Sequence, residues 1–284
     1  MAPAQSPGNR PRTFVIAGRG YTGTRVADRL AARGKVIGLT RKAHEFNFAA
    51  PFDVIYLVPP PAPGTTDPRL ERFLGKLPAA PGRIVYISTT GVYGDAGGAT
   101  VTEDTPPAPA TDRARRRLAA ETTLRVWCES HDVDWVILRV PGIYGPGRLP
   151  LDRLKRDEPA LAESEAGPGN RIQVEDLADI CVAALLQPQA RNRIYNVGDG
   201  DHTTSTAFLG LVARLAGLPP PPQLPLTQLQ ALKSAVAYSF LGESRRVDTS
   251  RLRQELGFKP RYPTAEAGIR ASLEAPIASQ SRRE

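Results

Sequence analysis

The feature that most constrains this chain is a glycine-rich turn between an apolar segment and a helical one. TFVIA (13–17) is short, apolar and β-branched, which is typical of a buried strand. GRGYTG (18–23) follows directly, TRVADRLAARG (24–34) has helical periodicity and ends in glycine, and KVIGLT (35–40) begins a second strand. A strand, a glycine turn, a helix and a second strand in this order predict the βαβ unit of a dinucleotide-binding fold.

The glycines of this turn have the spacing G-x-G-x-x-G. They would permit a tight turn and let backbone amides approach a pyrophosphate at the N-terminus of the helix. An ordinary strand-to-helix turn is the alternative, but the flanking strand and helix favour the phosphate site. The predicted cofactor contacts are therefore the whole turn: Gly18, Arg19, Gly20, Tyr21, Thr22 and Gly23.

Further apolar runs predict the rest of a parallel sheet. The predicted strands are DVIYLVPP (53–60), RIVYIST (83–89), DWVILRV (134–140) and RIYNVG (193–198), with LERFLGKL (70–77) as a crossover helix. Near-continuous apolar strands of this kind belong in a parallel sheet that is covered on both faces. Only RKAHEFNFAAPF (41–52) separates the second strand from the third. The sequence therefore predicts a Rossmann-type, doubly wound α/β fold that has lost one strand after the second, or retains a vestige of it in EFNF (45–48).

Beyond residue 145 the pattern becomes irregular and rich in proline, which indicates a second, smaller lobe. We predict an NAD(P)-binding domain over 12–145 to which 171–200 return, a small substrate lobe over 146–170 and 201–273, and flexible tails over 1–11 and 274–284. The helix VEDLADICVAALL (174–186) belongs to the returning part, and Asp176 is predicted to be its N-terminal cap rather than a catalytic acid.

The composition is that of a globular protein, with 41% hydrophobic and 23% charged residues. No apolar run approaches the roughly 20 residues that span a bilayer, and MAPAQSPGNRPR (1–12) lacks the apolar core of a signal peptide. Cys128 and Cys181 both lie in apolar helical patterns, and nothing in the sequence indicates an oxidising compartment. We therefore expect a cytoplasmic protein with no membrane partner and no metal site, and a disulfide is the less favoured alternative.

The net charge of +8 raises the question of an anionic partner. Arginines are spread along the chain, RARRR (113–117) is the one dense run, and no aromatic-rich binding motif accompanies it. A nucleic-acid partner is therefore not favoured, whereas a small anionic molecule fits the charge. The expected partner is a small-molecule substrate, and a homodimer remains open.

Seven separated segments occur in the order typical of one superfamily. Besides the glycine turn they are ISTTGVYGD (87–95), TEDTPPAP (102–109), LRVPGIYGPGR (138–148), QVEDLADI (173–180), YNVGDG (195–200) and LGFKPRYP (256–263). From about residue 13 to 273 the chain resembles the extended short-chain dehydrogenase/reductases, and within them the NAD-dependent epimerase/dehydratase family, most closely its atypical branch. The resemblance implies an NAD(P)-dependent oxidoreductase or epimerase-like activity.

The family's acid–base residues are replaced in this chain. The resemblance implies a Tyr-x-x-x-Lys pair with a serine or threonine from the preceding strand end, and it places the hydroxyl at Thr89 and the pair at 113 and 117. These positions hold Arg113 and Arg117, and no tyrosine in the sequence is followed by a lysine four residues later. A guanidinium stays protonated and cannot act as a general acid near neutral pH. Arg117 can therefore retain only the cofactor-holding part of the lysine's work.

The arginines allow two interpretations. A guanidinium can hold a ribose hydroxyl, a carboxylate or a phosphate by paired hydrogen bonds, and this is the role predicted for Arg113 and Arg117. The alternative is that they solvate a helix end, which is the prediction for Arg115 and Arg116.

The second strand ends without the carboxylate that enzymes of this fold commonly use to bind NAD. Arg41 suits a 2′-phosphate, with Lys42 beside it and Arg19 in the turn, so the sequence predicts NADP and NAD is the alternative. The resemblance implies further cofactor contacts, although each of these positions could equally be only a strand terminus: Val58 and Pro59 near the adenine and ribose, Ser88 beside Thr89, and Pro141 and Gly142 near the nicotinamide amide.

Two functions follow from these observations. The first is an NADP-dependent oxidoreductase or epimerase-like enzyme that acts on a small, anionic substrate with a substituted acid–base pair. The second is a non-catalytic dinucleotide-binding sensor or regulatory protein. The replaced tyrosine and lysine favour the second, whereas the retained STTGVYG (88–94) and YGPG (144–147) segments, which line the substrate side in the family, favour the first.

Overall fold

The computed structural model describes residues 12–40, 46, 48–62, 64–232 and 243–275. The strands are β1 (Thr13–Ala17), β2 (Lys35–Leu39), β3 (Phe52–Tyr56), β4 (Arg83–Thr89), β5 (Thr100–Val101), β6 (Asp134–Val140), β7 (Gly142–Tyr144), β8 (Ala160–Leu161), β9 (Arg171–Gln173), β10 (Arg193–Asn196), β11 (Gln223–Leu224) and β12 (Arg246–Val247). The helices are α1 (Tyr21–Ala31), α2 (Pro68–Gly75), α3 (Asp112–Ser130), α4 (Leu151–Lys155), α5 (Val174–Leu186), α6 (Ser205–Leu215), α7 (Leu226–Leu232), α8 (Ser250–Leu256) and α9 (Ala265–Glu274).

Six strands form one parallel sheet in the order β2-β1-β3-β4-β6-β10. The chain passes from β1 to β2 on one side and then returns to place β3 on the other side of β1. This reversal creates the crevice at the carboxyl ends of β1 and β3 where ligands of doubly wound folds bind. The predicted α/β fold is confirmed, and its six strands are those expected from the apolar runs.

Aromatic side chains follow β2 in place of a further strand and helix. In the described residues no strand lies between β2 and β3, as the short connection predicted. Phe48 packs on Phe52 with ring centroids 4.8 Å apart, and Phe46 packs on Phe73 at 5.4 Å. Both rings cover the apolar cluster that lies between the sheet and α2 and α3. The rings of Phe46 and Phe48 thus cover part of the core. Glu45 and Asn47 lie outside the described residues.

Several predicted elements have other bounds in the structure, and two of these differences have a local physical reason. β3 ends at Tyr56 rather than at residue 60, because Pro59 and Pro60 have no backbone N–H to continue the ladder. The helix predicted over 70–77 is α2, which begins at Pro68 because Oδ1 of Asp67 accepts the first free N–H groups of the helix. A capping aspartate directly before a proline was the signal in the sequence for this earlier start.

The prediction that Asp176 caps α5 is wrong. Gln173 is the cap, because its side chain accepts from the backbone N–H of Glu175. Asp176 is buried, and its two carboxylate oxygens accept backbone N–H groups of Arg261 and Tyr262, over 3.0 and 3.2 Å. Its carboxylate therefore anchors a C-terminal loop to α5, a contact between distant segments that a local cap rule does not consider.

Helices α1 and α5 lie together on one face of the sheet, and α2 and α3 on the other. The carboxylate of Glu175 in α5 accepts hydrogen bonds from Nε of Arg25 over 2.6 Å and from Nη2 of Arg29 over 2.8 Å. These bonds join α1, the helix after the glycine turn, to α5. Cys181 packs on this face and Cys128 on the opposite one, and both thiols are free. The sheet separates the two cysteines, which excludes a disulfide between them.

A further apolar cluster lies outside the two faces of the sheet. Tyr144 packs edge-on against Phe208 of α6, with ring centroids 5.4 Å apart, and Ile269 of α9 belongs to the same cluster. Across the described ranges, none of the helices is both long and apolar enough to cross a membrane.

Candidate functional site

The glycine turn lies at the carboxyl end of β1, in the crevice between β1 and β3. Gly18 has a φ of +96°, which favours glycine, and its N–H donates to the carbonyl of Leu39 over 3.1 Å. The N–H of Gly20 donates back to the carbonyl of Gly18 over 2.8 Å. These bonds reverse the chain within two residues, so that α1 begins at Tyr21 directly above the strand.

Gly20 and Gly23 have different physical reasons to be glycine. A Cβ on Gly23 would lie 2.3 Å from the carbonyl oxygen of Gly18, so this position lets α1 pack closely on the turn. A Cβ on Gly20 would meet nothing within 4 Å. Gly20 thus faces open space at the start of α1, whose first turn carries no acidic side chain. An open space of this kind fits a pyrophosphate at the positive end of a helix.

Tyr21 fastens the turn to the loop that follows β7. Its hydroxyl donates to the carbonyl of Pro146 over 3.1 Å. The guanidinium carbons of Arg25 and Arg148 lie 4.4 and 4.0 Å from the centre of its ring. Burial raises the pKa of Tyr21, so its phenol stays protonated near neutral pH. Thr22, the next residue of the predicted turn site, is buried in the first turn of α1.

Arg19 lies across the carboxyl end of β2, where this fold binds the adenosine ribose. A Cβ on Gly38 would lie only 2.7 Å from Cδ of Arg19, so the absence of a side chain at Gly38 leaves room for the side chain of Arg19. Arg41 and Lys42, which carry the predicted preference for NADP, lie outside the described residues.

Val58 and Pro59 lie beside the glycine turn, after the end of β3. A Cβ on Gly18 would lie 3.2 Å from a methyl carbon of Val58, so the two segments are in direct contact. Val58 is half-buried and Pro59 is exposed. The structure thus brings these predicted contacts to the same crevice as Gly18 and Gly20.

Thr89 ends β4 and begins the turn that leads away from the sheet. Its Oγ1 accepts the N–H of Gly91 over 3.1 Å, which caps the short 3-10 helix Thr90–Tyr93. The start of α3 packs against this turn, because a Cβ on Gly91 would lie 3.9 Å from Cβ of Ala114. The predicted hydroxyl residue and the first turn of α3 are therefore neighbours.

The arginines of RARRR separate into two groups. Arg115 pairs with Asp112 at 2.7 Å and Arg116 donates to the carbonyl of Gly64 over 2.8 Å, and both bonds lie on the exposed surface. Arg117 is half-buried, and its Nη1 donates to the carbonyl of Ile87 over 2.8 Å and to the hydroxyl of Tyr86 over 3.1 Å. Arg117 therefore holds the end of β4 from the side of α3.

Arg113 is half-buried in the first turn of α3. Burial lowers its pKa, Glu243 opposes this effect, and the nearby charges of Arg116, Arg117 and Arg245 lower the pKa further. A guanidinium has an ordinary pKa so far above neutrality that Arg113 remains a cation. The first turn of α3 thus holds a cluster of positive charge beside Thr89.

Ser88 is buried, and its hydroxyl donates to Glu121 of α3. A cofactor contact through this hydroxyl would have to displace that bond. Pro141 and Gly142 follow β6: Pro141 is half-buried, Gly142 is exposed, and Gly142 pairs with Arg171 where β7 meets β9. These two residues therefore lie at the carboxyl end of β6, on the same edge of the sheet as Thr89.

A buried polar network that the sequence motifs did not predict lies behind the site. Glu121 and Arg139 form an ion pair at 2.8 Å with both side chains 4% exposed. Arg139 also donates to the hydroxyl of Tyr93 over 2.9 Å, and Tyr93 donates to Asn196 over 2.7 Å. Burial raises the pKa of Tyr93, which makes it no substitute for an exposed catalytic tyrosine. The signal in the sequence was an arginine within the apolar run DWVILRV.

Part of the chain is similar to known proteins. The model of the NAD dependent epimerase/dehydratase family matches residues 69–198. YeeZ of Escherichia coli strain K12 is 36% identical over 181 residues, which make up 64% of this chain and 59% of YeeZ. The match thus spans less than two thirds of that curated relative's length.

Solved structures show the same fold. A functionally unknown conserved protein from Silicibacter pomeroyi DSS superimposes with a TM-score of 0.80 and 28% identity, over 94% of this chain and 99% of that one. The human epimerase family protein SDR39U1, solved with NADPH, has a TM-score of 0.71 and 18% identity, over 92% of this chain and 99% of that one. The α/β fold predicted from the sequence is confirmed, and the predicted resemblance agrees with the family model that matches residues 69–198.

Proposed function

We infer that this relative of the NAD-dependent epimerase/dehydratase family is an NADP-dependent oxidoreductase or epimerase-like enzyme that acts on a small, anionic substrate. The open space at Gly20, at the start of α1 and between Arg19 and Val58, is the observation that carries the inference. The sheet order supports it, because this turn lies in the crevice where β1 and β3 diverge.

The residues present fit the dinucleotide. The pyrophosphate would lie over Gly20, Arg19 would lie near the adenosine ribose, and Val58 would border the adenine. Arg117 lies near enough to the end of β4 to hold the nicotinamide ribose, since it already bonds the carbonyl of Ile87. When bound, the nicotinamide supplies hydride transfer. The protein's own contribution is to orient the cofactor and the substrate.

Cofactor choice is the first test. We expect NADP(H) to bind more tightly than NAD(H), because Arg41 pairs with a phosphate that NAD lacks. Changing Arg41→Asp should weaken NADP binding by roughly 1–3 kcal/mol, the usual range for loss of a charge-assisted contact. Titration calorimetry with both cofactors measures this, and Arg72→Asp, on the exposed surface of α2, is the matched control. Equal or reversed affinities in the unmodified protein would defeat the preference.

The replaced acid–base pair supports a second candidate, a dinucleotide-binding sensor without catalysis. Arg117 takes part in two hydrogen bonds of the fold, and Arg113 lies among other cations, so neither can deliver a proton. Thr89 has a hydroxyl but caps its own turn. A substrate that undergoes reduction would have to obtain its proton from another group or from water.

Changing Arg113→Tyr together with Arg117→Lys tests whether these arginines hold an anion or stand in a pocket of the family's usual reductase kind. We expect weaker anion binding and little new reductase activity, because a phenol and an amine do not by themselves rebuild a shaped substrate pocket. NADPH oxidation over a panel of carbonyl compounds reports the chemistry, and thermal shift with small carboxylates reports anion binding. A large gain of reduction would instead mean that the pocket is of the family's usual kind.

The change Arg115→Tyr with Arg116→Lys is the control for this experiment. These two side chains form only surface bonds, so their replacement should leave both assays unchanged. No effect of the double change at 113 and 117 on either assay would show that neither Arg113 nor Arg117 binds a ligand.

A further inference from the structure

The loop 197–204, here called the junction loop, connects β10 of the sheet to α6 and bonds two further elements on its way. The backbone N–H of Asp199 donates to the carbonyl of Arg171 in β9 over 3.0 Å. Oδ2 of Asp201 accepts the N–H of Ala265, the first residue of α9, over 2.7 Å. The junction loop therefore joins the sheet to the C-terminal part of the chain.

Asp199 is buried in the junction loop, and only one oxygen of its carboxyl group has a partner. The residue is 2% exposed. Oδ1 accepts the backbone N–H of Asp201 over 2.9 Å, whereas Oδ2 has no hydrogen-bond partner in the part of the chain that the structure describes. Burying an ionised carboxylate costs free energy unless the charge is paired, so this group is more stable with a proton than without one.

Two guanidinium groups reach the junction loop without bonding this carboxyl group. Nη1 of Arg171 donates to the carbonyl of Thr203 over 2.6 Å, and its Nη2 donates to that of Thr204 over 3.3 Å. Nη2 of Arg253 in α8 donates to the carbonyl of Asp199 over 3.2 Å. Within the described ranges, both cations thus stabilise main-chain carbonyls, and neither forms a hydrogen bond with the carboxyl group of Asp199.

The surroundings of Asp199 favour its neutral form. Burial raises the pKa of Asp199 to about 7, and the like charge of Asp201 adds to this effect, whereas Arg171 and the N–H of Asp201 oppose it. Tyr144 of β7 packs on the ring of Phe208, as the guanidinium of Arg171 does. Burial raises the pKa of the Tyr144 phenol, which therefore stays neutral. Loss of the proton from Asp199 would thus place an unpaired negative charge where water has little access.

We propose that the junction loop is a pH-sensitive switch, in which a proton on Asp199 keeps the loop packed against β9 and α9 and loss of that proton to water loosens both contacts. An ionised Asp199 can be stabilised in two ways. Water can enter beside Oδ2, which requires the loop to move away from its neighbours. The guanidinium of Arg171 can turn towards the carboxylate, which withdraws it from the carbonyls of Thr203 and Thr204.

The stability that Asp199 contributes should fall as the pH rises. In the unfolded chain an aspartate has its ordinary pKa of about 4, whereas burial raises the pKa of Asp199 to about 7 in the folded chain. Between these two values the folded state binds one proton more than the unfolded state, so the free energy of unfolding decreases with increasing pH. The contacts of the junction loop are therefore complete in mildly acidic solution and loosened in mildly alkaline solution.

Hydrogen exchange of the full chain, followed by NMR and corrected for the intrinsic exchange rate at each pH, tests the proposal. The backbone N–H groups of Asp201, Thr203 and Ala265 report the contacts, because each donates to an aspartate of the junction loop. Their protection should fall by at least about tenfold between about pH 6 and about pH 8.5, and by more than that of Ile55 in β3, which reports unfolding of the sheet. Unchanged protection, or an equal fall at Ile55, would overturn the proposal.

The change Asp199→Asn imitates the protonated side chain, because the amide keeps an oxygen for the N–H of Asp201 and carries no charge. The variant should keep its protection at both pH values, and a fall as large as that of the unmodified chain would overturn the proposal. If the variant does not fold, the carbon-13 resonance of Asp199 Cγ in the unmodified chain decides. We expect a titration midpoint of about 7, and a midpoint at the ordinary value of about 4 would overturn the proposal.

Two further variants show whether another group causes the response. His202→Gln removes the histidine of the junction loop, because histidine side chains ordinarily titrate in this pH range. Asp248→Asn is the matched control, since Oδ1 of Asp248 also accepts the N–H two residues on, that of Ser250, over 2.7 Å, but the residue is only half-buried. Both variants should lose protection at the higher pH as the unmodified chain does. A response that disappears in His202→Gln and persists in Asp199→Asn would overturn the proposal.

Discussion

Replacing Gly20 with valine is expected to abolish binding of both NADP(H) and NAD(H) while the protein stays folded. A Cβ at this position would meet no protein atom within 4 Å, so the first side-chain carbon has room in the fold. The side chain would instead fill the space at the start of α1 that the pyrophosphate needs. We expect a loss of more than about 100-fold in affinity, or about 3 kcal/mol, by titration calorimetry.

Two other glycine substitutions make this test specific. Gly23→Ala should destabilise the protein itself, because its Cβ would lie 2.3 Å from the carbonyl oxygen of Gly18. Gly210→Ala, in the interior of α6 with no neighbour within 4 Å, should change neither stability nor binding adversely. Unchanged cofactor binding in a folded Gly20→Val protein would remove the claim that this turn cradles a phosphate.

Replacing Glu121 with alanine is expected to lower the free energy of unfolding by about 3–5 kcal/mol, which is the usual cost of removing one partner of a buried ion pair. Arg139 would remain charged with its side chain 4% exposed, and Ser88 would lose its acceptor. Urea denaturation followed by circular dichroism measures the loss. A cost below about 1 kcal/mol would show that water reaches Arg139 and that the pair is not buried in solution.

The double change Glu121→Met with Arg139→Met is the companion experiment. It removes both charges and replaces them with flexible apolar side chains, so a large part of the stability lost in Glu121→Ala should return. Glu266→Ala on α9 is the surface control, and we expect little effect because its partners Arg214 and Arg270 are exposed. If the double variant is no more stable than Glu121→Ala, packing or the bonds of Tyr93 dominate at this site.

The segments that could be predicted from the sequence share one property: their structure depends on neighbours along the chain. β1, β4, β6 and α5 have the predicted bounds, because apolar period, β-branching and glycine positions decide them locally. The short connection after β2 likewise predicted a sheet without an extra strand there, and none lies between β2 and β3 in the described residues, since chain length limits what a connection can contain. Helix α2 begins two residues before its first apolar position, because the side chain of Asp67 caps it.

The arginine run shows where local information ends. Four arginines in five positions of one helix start are alike in the sequence, yet Arg115 and Arg116 bond surface groups whereas Arg117 reaches the carbonyl of Ile87 in β4. Which of them points inward depends on how α3 rotates against the sheet. That rotation is decided by the packing of buried residues such as Ala120 and Leu124 in the core beneath it.

The sequence by itself determined the parallel sheet and the glycine turn at its crevice. Only the tertiary structure decided that Asp176 anchors a loop and that Glu121 pairs with Arg139. The physical reason is that strands, turns and helix starts follow from interactions between near neighbours in the chain. The partner of a buried charge is whichever group the tertiary fold brings next to it, and that group can lie far away in the sequence.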